Sequence, residues 1–173
     1  MAKLTFTHLD GRGHARMVNV GAKPTTLRSA TASAVVRTTT KVLAAIRRQA
    51  IAKGDVLAVA RIAGIQAAKR TDELIPLCHG LNLDAVDVDL KLHGNEVRIS
   101  ATASLSGRTG VEMEALVAVS AAALTVYDMC KAIDRSMVIG DIQLEEKSGG
   151  RSGHWQRSAL KKIPRQPQRR RGR

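Results

Sequence analysis

The sequence predicts an α+β layer, an antiparallel sheet with helices on one face. Two observations carry this expectation. Residues 112–131 repeat apolar side chains at three- and four-residue steps, through Leu116, Val119, Ala123, Val126, Tyr127 and Cys130, which is the period of a helix. Residues 86–92 and 97–103 alternate instead. Val86, Val88, Leu90 and Leu92 form one apolar row, Val97, Ile99, Ala101 and Ala103 another, and His93-Gly94-Asn95 supplies the turn between them.

At 173 residues the chain fits a single domain with a real core. One Phe, one Tyr and one Trp leave that core to Ala, Val, Leu and Ile, and argue against base stacking as a main function. Cys78 and Cys130 lie 52 residues apart with no CxxC, which suits a reducing cytoplasm. The first residues lack the apolar core of a signal peptide, and no run of eighteen apolar residues occurs, so no membrane span is expected. The net charge of +13 is unevenly spread. Residues 147–173 carry ten Lys/Arg and no Asp/Glu, while residues 1–146 hold eighteen basic and fifteen acidic groups. The expected organisation is therefore one domain over 1–156 and a basic tail of disordered composition over 157–173.

In chain order, residues 1–30 read as loop with a short strand over 15–20. Residues 33–50 read as a helix, with Val35, Val36, Val42, Leu43 and Ile46 on one face. Lys53-Gly54-Asp55 ends it, and Asp55 caps a second helix over 56–69. Gly64 inside that helix marks the close approach of another backbone. Thr71 caps a short turn that Pro76 ends, and 77–81 is loop. The first strand begins near Asp84-Ala85. After the second strand, Ser106-Gly107-Arg108 turns into the long helix, with Thr109 as N-cap and Glu112 at the capping-box position. A last strand covers 142–147, and 148–153 is a glycine-rich loop read as a linker.

Four charged groups interrupt the apolar long helix, and a buried charge needs a partner. Glu112 reads equally as the capping-box glutamate or as a pocket group. Glu114 has no capping role. On one continuous helix Glu114 and Asp128 share a face to within about 40°, yet stand about 21 Å apart along the axis. One small molecule held by one chain does not reach both. Either the helix is interrupted or two chains contribute different ends. Asp128 and Lys131, spaced i, i+3, read as a helix ion pair or as an acid/base couple. Lys53, between two helices, reads as a solvated lysine or as an ammonium placed for an anion. Cys78-His79 lacks metal-ligand spacing, although His79 can donate to a phosphate or a base. Lys147 precedes the glycine-rich loop, which is no Walker A because the GxxxxGK[ST] spacing is absent. A nucleic-acid-binding reading through the basic tail stays open beside these.

Three stretches, KGDVLAVARIAGIQAAKRTDELIPLCH (53–79), GRTGVEMEALVAVSAAALTVYDMCKAIDRSMVIG (107–140) and EKSGGRSGHW (146–155), resemble the MoaC family of molybdenum cofactor biosynthesis. The resemblance implies a ferredoxin-like α+β fold and a homohexamer of three dimers, with the site at a dimer interface. It implies a lyase, cyclic pyranopterin monophosphate synthase. The enzyme would convert (8S)-3′,8-cyclo-7,8-dihydroguanosine 5′-triphosphate into cyclic pyranopterin monophosphate and diphosphate, after a radical-SAM enzyme. No redox cofactor is implied, and the triphosphate leaves room for Mg²⁺. The implied partners exclude a membrane and leave nucleic acid only nonspecific contact with the tail.

Matched position by position, the family's catalytic residues fall on Lys53, Asp128 and Lys131. Its substrate-binding residues fall on Leu77, Cys78, His79, Met113 and Glu114, with Glu112 and Lys147 lining the pocket. The residue types suit the chemistry. A triphosphate needs cationic donors, which Lys53, His79, Lys131 and Lys147 supply. A guanine-like edge offers N–H groups that Glu112 or Glu114 accept. Asp128 with Lys131 is expected as the acid/base pair, aided by a lysine of depressed pKa, with Lys53 as a second proton donor. Three features depart from the family pattern: Gly80 stands where proline is usual, Asn19 where a carboxylate is usual, and the tail has no counterpart. An inactive scaffold with the same fold is a third reading, against which the intact Lys53, His79, Glu114, Asp128 and Lys131 stand.

Overall fold

A computed structural model describes residues 12–158. The chain runs β1 (Thr26–Arg37), α1 (Thr40–Arg47), α2 (Val56–Ala68), α3 (Thr71–Leu74), β2 (Ala85–His93), β3 (Glu96–Gly107), α4 (Glu112–Cys130), β4 (Val138–Ser148) and β5 (Trp155–Gln156). The five strands form one sheet in the order β2-β3-β1-β4-β5, with every neighbouring pair antiparallel. This is the expected α+β layer.

The core is built on alternation in the central strands. Ala30, Ala32, Ala34 and Val36 of β1 are buried on one face, while Ser29, Thr31 and Ser33 take the other parity. Register aligns small with small: Ala30 faces Ala103 and Ala32 faces Ala101, while Ala34 faces Ile99. α4 packs onto β1, β3 and β4 and buries Ala115, Ala118, Val119, Ala122, Ala123 and Val126. α2 lies beside α4 and covers β2. Their contact depends on Gly64, where a Cβ would lie 2.9 Å from the Ala118 carbonyl oxygen and 3.3 Å from Val88 Cγ2. The expected close approach at Gly64 is therefore present, and its partner is the backbone of α4.

By length and composition an eighteen-residue window of α4 would pass for a membrane span. Half of that window is buried against the sheet and α2, as befits the core helix of a layered domain. No run of eighteen apolar residues occurs in the sequence because Glu114, Ser120 and Thr125 punctuate this helix.

Several local expectations fail, each for a physical reason. β1 was not expected. Its alternation uses alanine against serine and threonine, a contrast too weak to register as a strand. Residues 33–37 belong to β1, so the helix expected over 33–50 shrinks to α1. Val35 and Val36 match a helical spacing by coincidence and pair in the sheet with Arg98 and Val97. No strand covers 15–20, where only Ala15 makes an isolated bridge. Thr71 is the first residue of α3 rather than its cap, and its hydroxyl donates to the Ala68 carbonyl. The last strand is longer than expected and gains β5 as an edge partner. Arg157, at the expected start of the tail, is docked: its Nε donates to the Leu144 carbonyl at 2.7 Å, and its backbone N–H bonds Glu145. Residues 159–173 of the tail lie outside the described residues.

Gly64→Val should destabilise the fold by about 2 kcal/mol, because the neighbour that must yield is main chain. The measurement is the urea midpoint at constant m-value; an unchanged midpoint would show that α2 and α4 separate freely.

Candidate active site

The expected site residues form two clusters, one at each end of α4. At the C-terminal end, Asp128 lies between two ammonium groups. Lys131 Nζ sits 2.7 Å from Asp128 Oδ1, and Lys53 Nζ donates to Oδ2 at 2.6 Å and to the Asp128 carbonyl at 3.1 Å. Each carboxylate oxygen thus takes one cation. Local sequence explains why Lys53 arrives there. Gly54 turns with φ +99°, and Asp55 caps α2 by accepting from the N–H groups of Leu57 and Ala58. The Lys-Gly-Asp triplet therefore ends one connection, starts the next helix and leaves the lysine pointing at α4. All three side chains are about half exposed, at 51, 53 and 50% for Lys53, Asp128 and Lys131.

The Lys131 contact, followed by that of Lys53, lowers Asp128 from 3.8 to about 2. A depressed carboxylate contributes its pairing above its ordinary value and loses it as pH falls toward about 2. The cluster is thus intact throughout the neutral range.

At the N-terminal end of α4 a cavity of about 950 Å³ opens. Leu77, Cys78, His79, Glu112, Met113 and Glu114 all line it. Glu114 is 3% exposed. Burial raises its pKa first, with the neighbouring Glu112 and Asp72 carboxylates adding to the rise, against a hydrogen bond from its own backbone. Burial, then Glu114 and Asp72, likewise raise the Cys78 thiol, which keeps it protonated and a poor nucleophile. His79 Nε2 lies 2.9 Å from the Val18 carbonyl oxygen. A carbonyl only accepts, so Nε2 is the donor in this contact. Lys147 is not in the lining, but its Nζ bonds Ser152 Oγ, which is.

The capping box does not form. The N-cap of α4 is Val111, without a side-chain cap, and Thr109 Oγ1 is buried with no hydrogen-bond partner among the described residues. Glu112 is thereby left to the cavity. Thr26 Oγ1 and Arg28 Nε share Thr109's condition, and all three residues line the same cavity. Buried polar atoms without partners are rare in folded proteins and mark a place where a ligand's groups fit.

Sequence reasoning did not single out Arg28, Arg108 or Arg151, which add cations to this lining. Arg28 lies in a segment read as loop. The one available signal was Gly149-Gly150, read as a linker. Gly150, at φ +71°, lies against the Arg28 guanidinium, where a Cβ would overlap it. The loop is therefore docked on β1.

α4 is unbroken from Glu112 to Cys130, so Glu114 and Asp128 remain about 21 Å apart. The structure does not bring Lys53, Asp128 and Lys131 to the cavity of their own chain. Among the described residues no group of three His, Cys, Asp or Glu side chains gathers as a metal site.

The pattern described as the MoaC family matches residues 17–150, spanning β1 through β4 and both clusters. The chain belongs to the MoaC family. A relative from Mycobacterium tuberculosis H37Rv, "Cyclic pyranopterin monophosphate synthase 1", is 61% identical over 157 residues, 90% of this chain and 92% of that protein. "Cyclic pyranopterin monophosphate synthase 3" of the same organism is 60% identical over 88% of this chain and 86% of its own length. A "Cyclic pyranopterin monophosphate synthase" from Peptoclostridium acidaminophilum is 52% identical over 91% of this chain and all of its own. For a MoaC family member, the expected residues thus divide into a basic cluster around Asp128 and a cavity around Glu114.

Carboxyl NMR tests the electrostatics of the basic cluster. At about pH 4 Asp128 should be fully ionised in the wild type and partly protonated in Lys131→Ala, with a smaller change in Lys53→Ala. Equal titration in all three proteins would mean that the ammonium contacts are absent in solution.

Proposed function

We propose that this chain is a cyclic pyranopterin monophosphate synthase, a lyase that converts (8S)-3′,8-cyclo-7,8-dihydroguanosine 5′-triphosphate into cyclic pyranopterin monophosphate and diphosphate. The observation that carries this reading is Asp128 gripping both Lys53 and Lys131. Family membership and the names of relatives at 52–61% identity support it. The strand order β2-β3-β1-β4, with helices after the first and third strands, favours the ferredoxin-like class. Two free cysteines suit a cytoplasmic enzyme.

The geometry suggests how the work divides. A carboxylate held near 2 by two ammonium groups accepts protons poorly at neutral pH. The three residues therefore share the catalysis in another way. Asp128 orients the two ammonium groups, and Lys53 and Lys131 donate and recover protons as the ring opens and is rebuilt. The ammonium groups also balance charge that develops when diphosphate leaves. At the other end Glu112 and Glu114 accept from the base's N–H edge, and His79, Lys147 and the arginines Arg28, Arg108 and Arg151 meet the phosphates. Any Mg²⁺ would enter with the triphosphate as part of the substrate.

An unbroken α4 supports a site shared between chains. A second copy that sets its Lys53–Asp128–Lys131 cluster beside the first copy's cavity would complete it. The family's homohexamer of three dimers is the assembly this reading adopts. Nothing in either cluster calls for nucleic acid, which leaves the basic tail as the only basis for that alternative.

Asp128→Ala should lower turnover of the cyclic triphosphate at least about 100-fold. Substantial remaining activity would remove Asp128 from the chemistry. Mixing unfolded Asp128→Ala and Glu114→Ala chains and refolding them together should restore about a quarter of wild-type activity if each site draws on two chains. No recovery, with mixed oligomers present, would sink the shared site.

A further inference from the structure

Midway between Glu114 and Asp128 on the unbroken α4 stands Ala121. Each of the two lies about 10 Å from it along the helix and within about 20° of it around the axis. A two-fold axis crossing α4 at Ala121 relates each position ahead of that residue to the equally distant position behind it on a second copy. Asp128 of the partner subunit then stands opposite Glu114, and Glu114 of the partner subunit opposite Asp128. One contact of this kind completes two sites at once.

The face of α4 between the two clusters suits that contact. α4 packs on the sheet with one side and on α2 with another, and the remaining arc carries Met113, Val117, Ser120, Ala121, Leu124 and Asp128. All six are half-buried or exposed, and Leu124 is 62% exposed. Their three- and four-residue steps make one stripe along the helix. Its hydroxyls are already satisfied: Ser120 Oγ donates to the Leu116 carbonyl at 2.7 Å, and the adjoining Thr125 Oγ1 to the Ala121 carbonyl at 2.8 Å. Small residues at the centre let two helix backbones approach, with Val117 and Leu124 to fill the space on either side. The ends of the stripe differ in charge. Glu112 and Glu114 stand at one, and two ammonium groups around a single carboxylate at the other. An antiparallel pair sets each end against its opposite, and the positive end of one helix dipole beside the negative end of the other. The cavity's arginines, Arg28, Arg108 and Arg151, stand on β1 and on loops rather than on α4.

We propose that two copies of this chain pair through the exposed stripe of α4, antiparallel and centred on Ala121, so that the Lys53–Asp128–Lys131 cluster of each closes the Glu114 cavity of the other. The proposal rests on the reading that the site is shared between chains, and adds the surface that shares it. The roughly 21 Å between clusters within one chain becomes the spacing of two equivalent sites in the pair. Across the pair the gap is that between packed helices, about 8–10 Å from axis to axis, which a nucleotide triphosphate spans. A substrate seated there meets the carboxylates of one chain and the ammonium groups of the other.

Ala121→Cys tests the axis directly. Only a residue on a two-fold meets its own copy, and helices packed this closely leave facing Cα atoms within the roughly 4–7 Å that a disulfide bridges. Treated with diamide, Ala121→Cys should run as a covalent dimer that keeps wild-type turnover of the cyclic triphosphate. The wild type, with only Cys78 and Cys130, should not crosslink. Ile62→Cys, exposed on α2, is the control and should stay uncrosslinked. Ala121→Glu puts two carboxylates face to face at the axis; it should fold, sediment as a smaller species and lose about 10-fold or more of its turnover. Failure of Ala121→Cys to crosslink, equal crosslinking at Ile62→Cys, or full turnover in folded Ala121→Glu overturns the contact. Refolding Asp128→Ala and Glu114→Ala chains together separates this contact from the shared site. Recovery on mixing without a crosslink at 121 keeps the sharing and overturns this surface. A crosslink at 121 with no recovery on mixing overturns the pairing of the clusters.

Discussion

α4 lies on β1 with alanine against alanine, and that contact sets the distance between helix and sheet. Ala115, Ala118, Ala122 and Ala123 meet a strand whose buried face is Ala30, Ala32, Ala34 and Val36. The backbone of α2 closes in from the side at Gly64. α4 runs unbroken for nineteen residues on this seat. The separation of the two functional clusters is a result of this packing. A bend in α4 could bring Asp128 toward Glu114 only by breaking the core.

The charges at the two ends agree with the field of the helix itself. The N-terminus carries the positive end of the helix dipole, and Glu112 and Glu114 occupy its first turn. The C-terminus carries the negative end, and Lys131 caps it while Lys53 donates to the Asp128 carbonyl. The two glutamates and Lys131 therefore sit where the backbone favours their sign. Asp128 is the exception, an anion near the negative end, and two lysines rather than one hold it ionised.

The sequence pointed to residues that cluster in the fold more readily than it pointed to the strands of the scaffold. Lys53, Asp128 and Lys131 come together, and the residues expected for substrate binding gather at one cavity apart from Lys147, which sits at its rim. Glu112, Met113, Glu114 and Asp128 lie on α4, whose apolar period is plain in the sequence, and the 21 Å argument needed only helical geometry. β1 was invisible because its inward residues are alanines and its outward ones serines and threonines, which differ too little in hydropathy to show alternation. The capping box at Thr109 failed because a local pattern was read without its tertiary setting: Thr109 faces the cavity, and the helix starts two residues later than its hydroxyl could serve. Arg28 was illegible for a related reason. A single arginine on an unrecognised strand has no periodic signature, and its partner, Gly150, looks from the sequence like an ordinary linker glycine.

A core assembled from alanine also has an unusual relation to sequence change. Its small side chains have almost no rotamer freedom to lose on folding and almost no volume to give up on truncation. Drift toward smaller residues is nearly closed off, since only glycine remains. Drift toward larger ones is met at once by main chain. The helix–sheet seam is thus bounded from both sides, and variation in this lineage should accumulate at the rim of the layer while the seam stays compositionally poor.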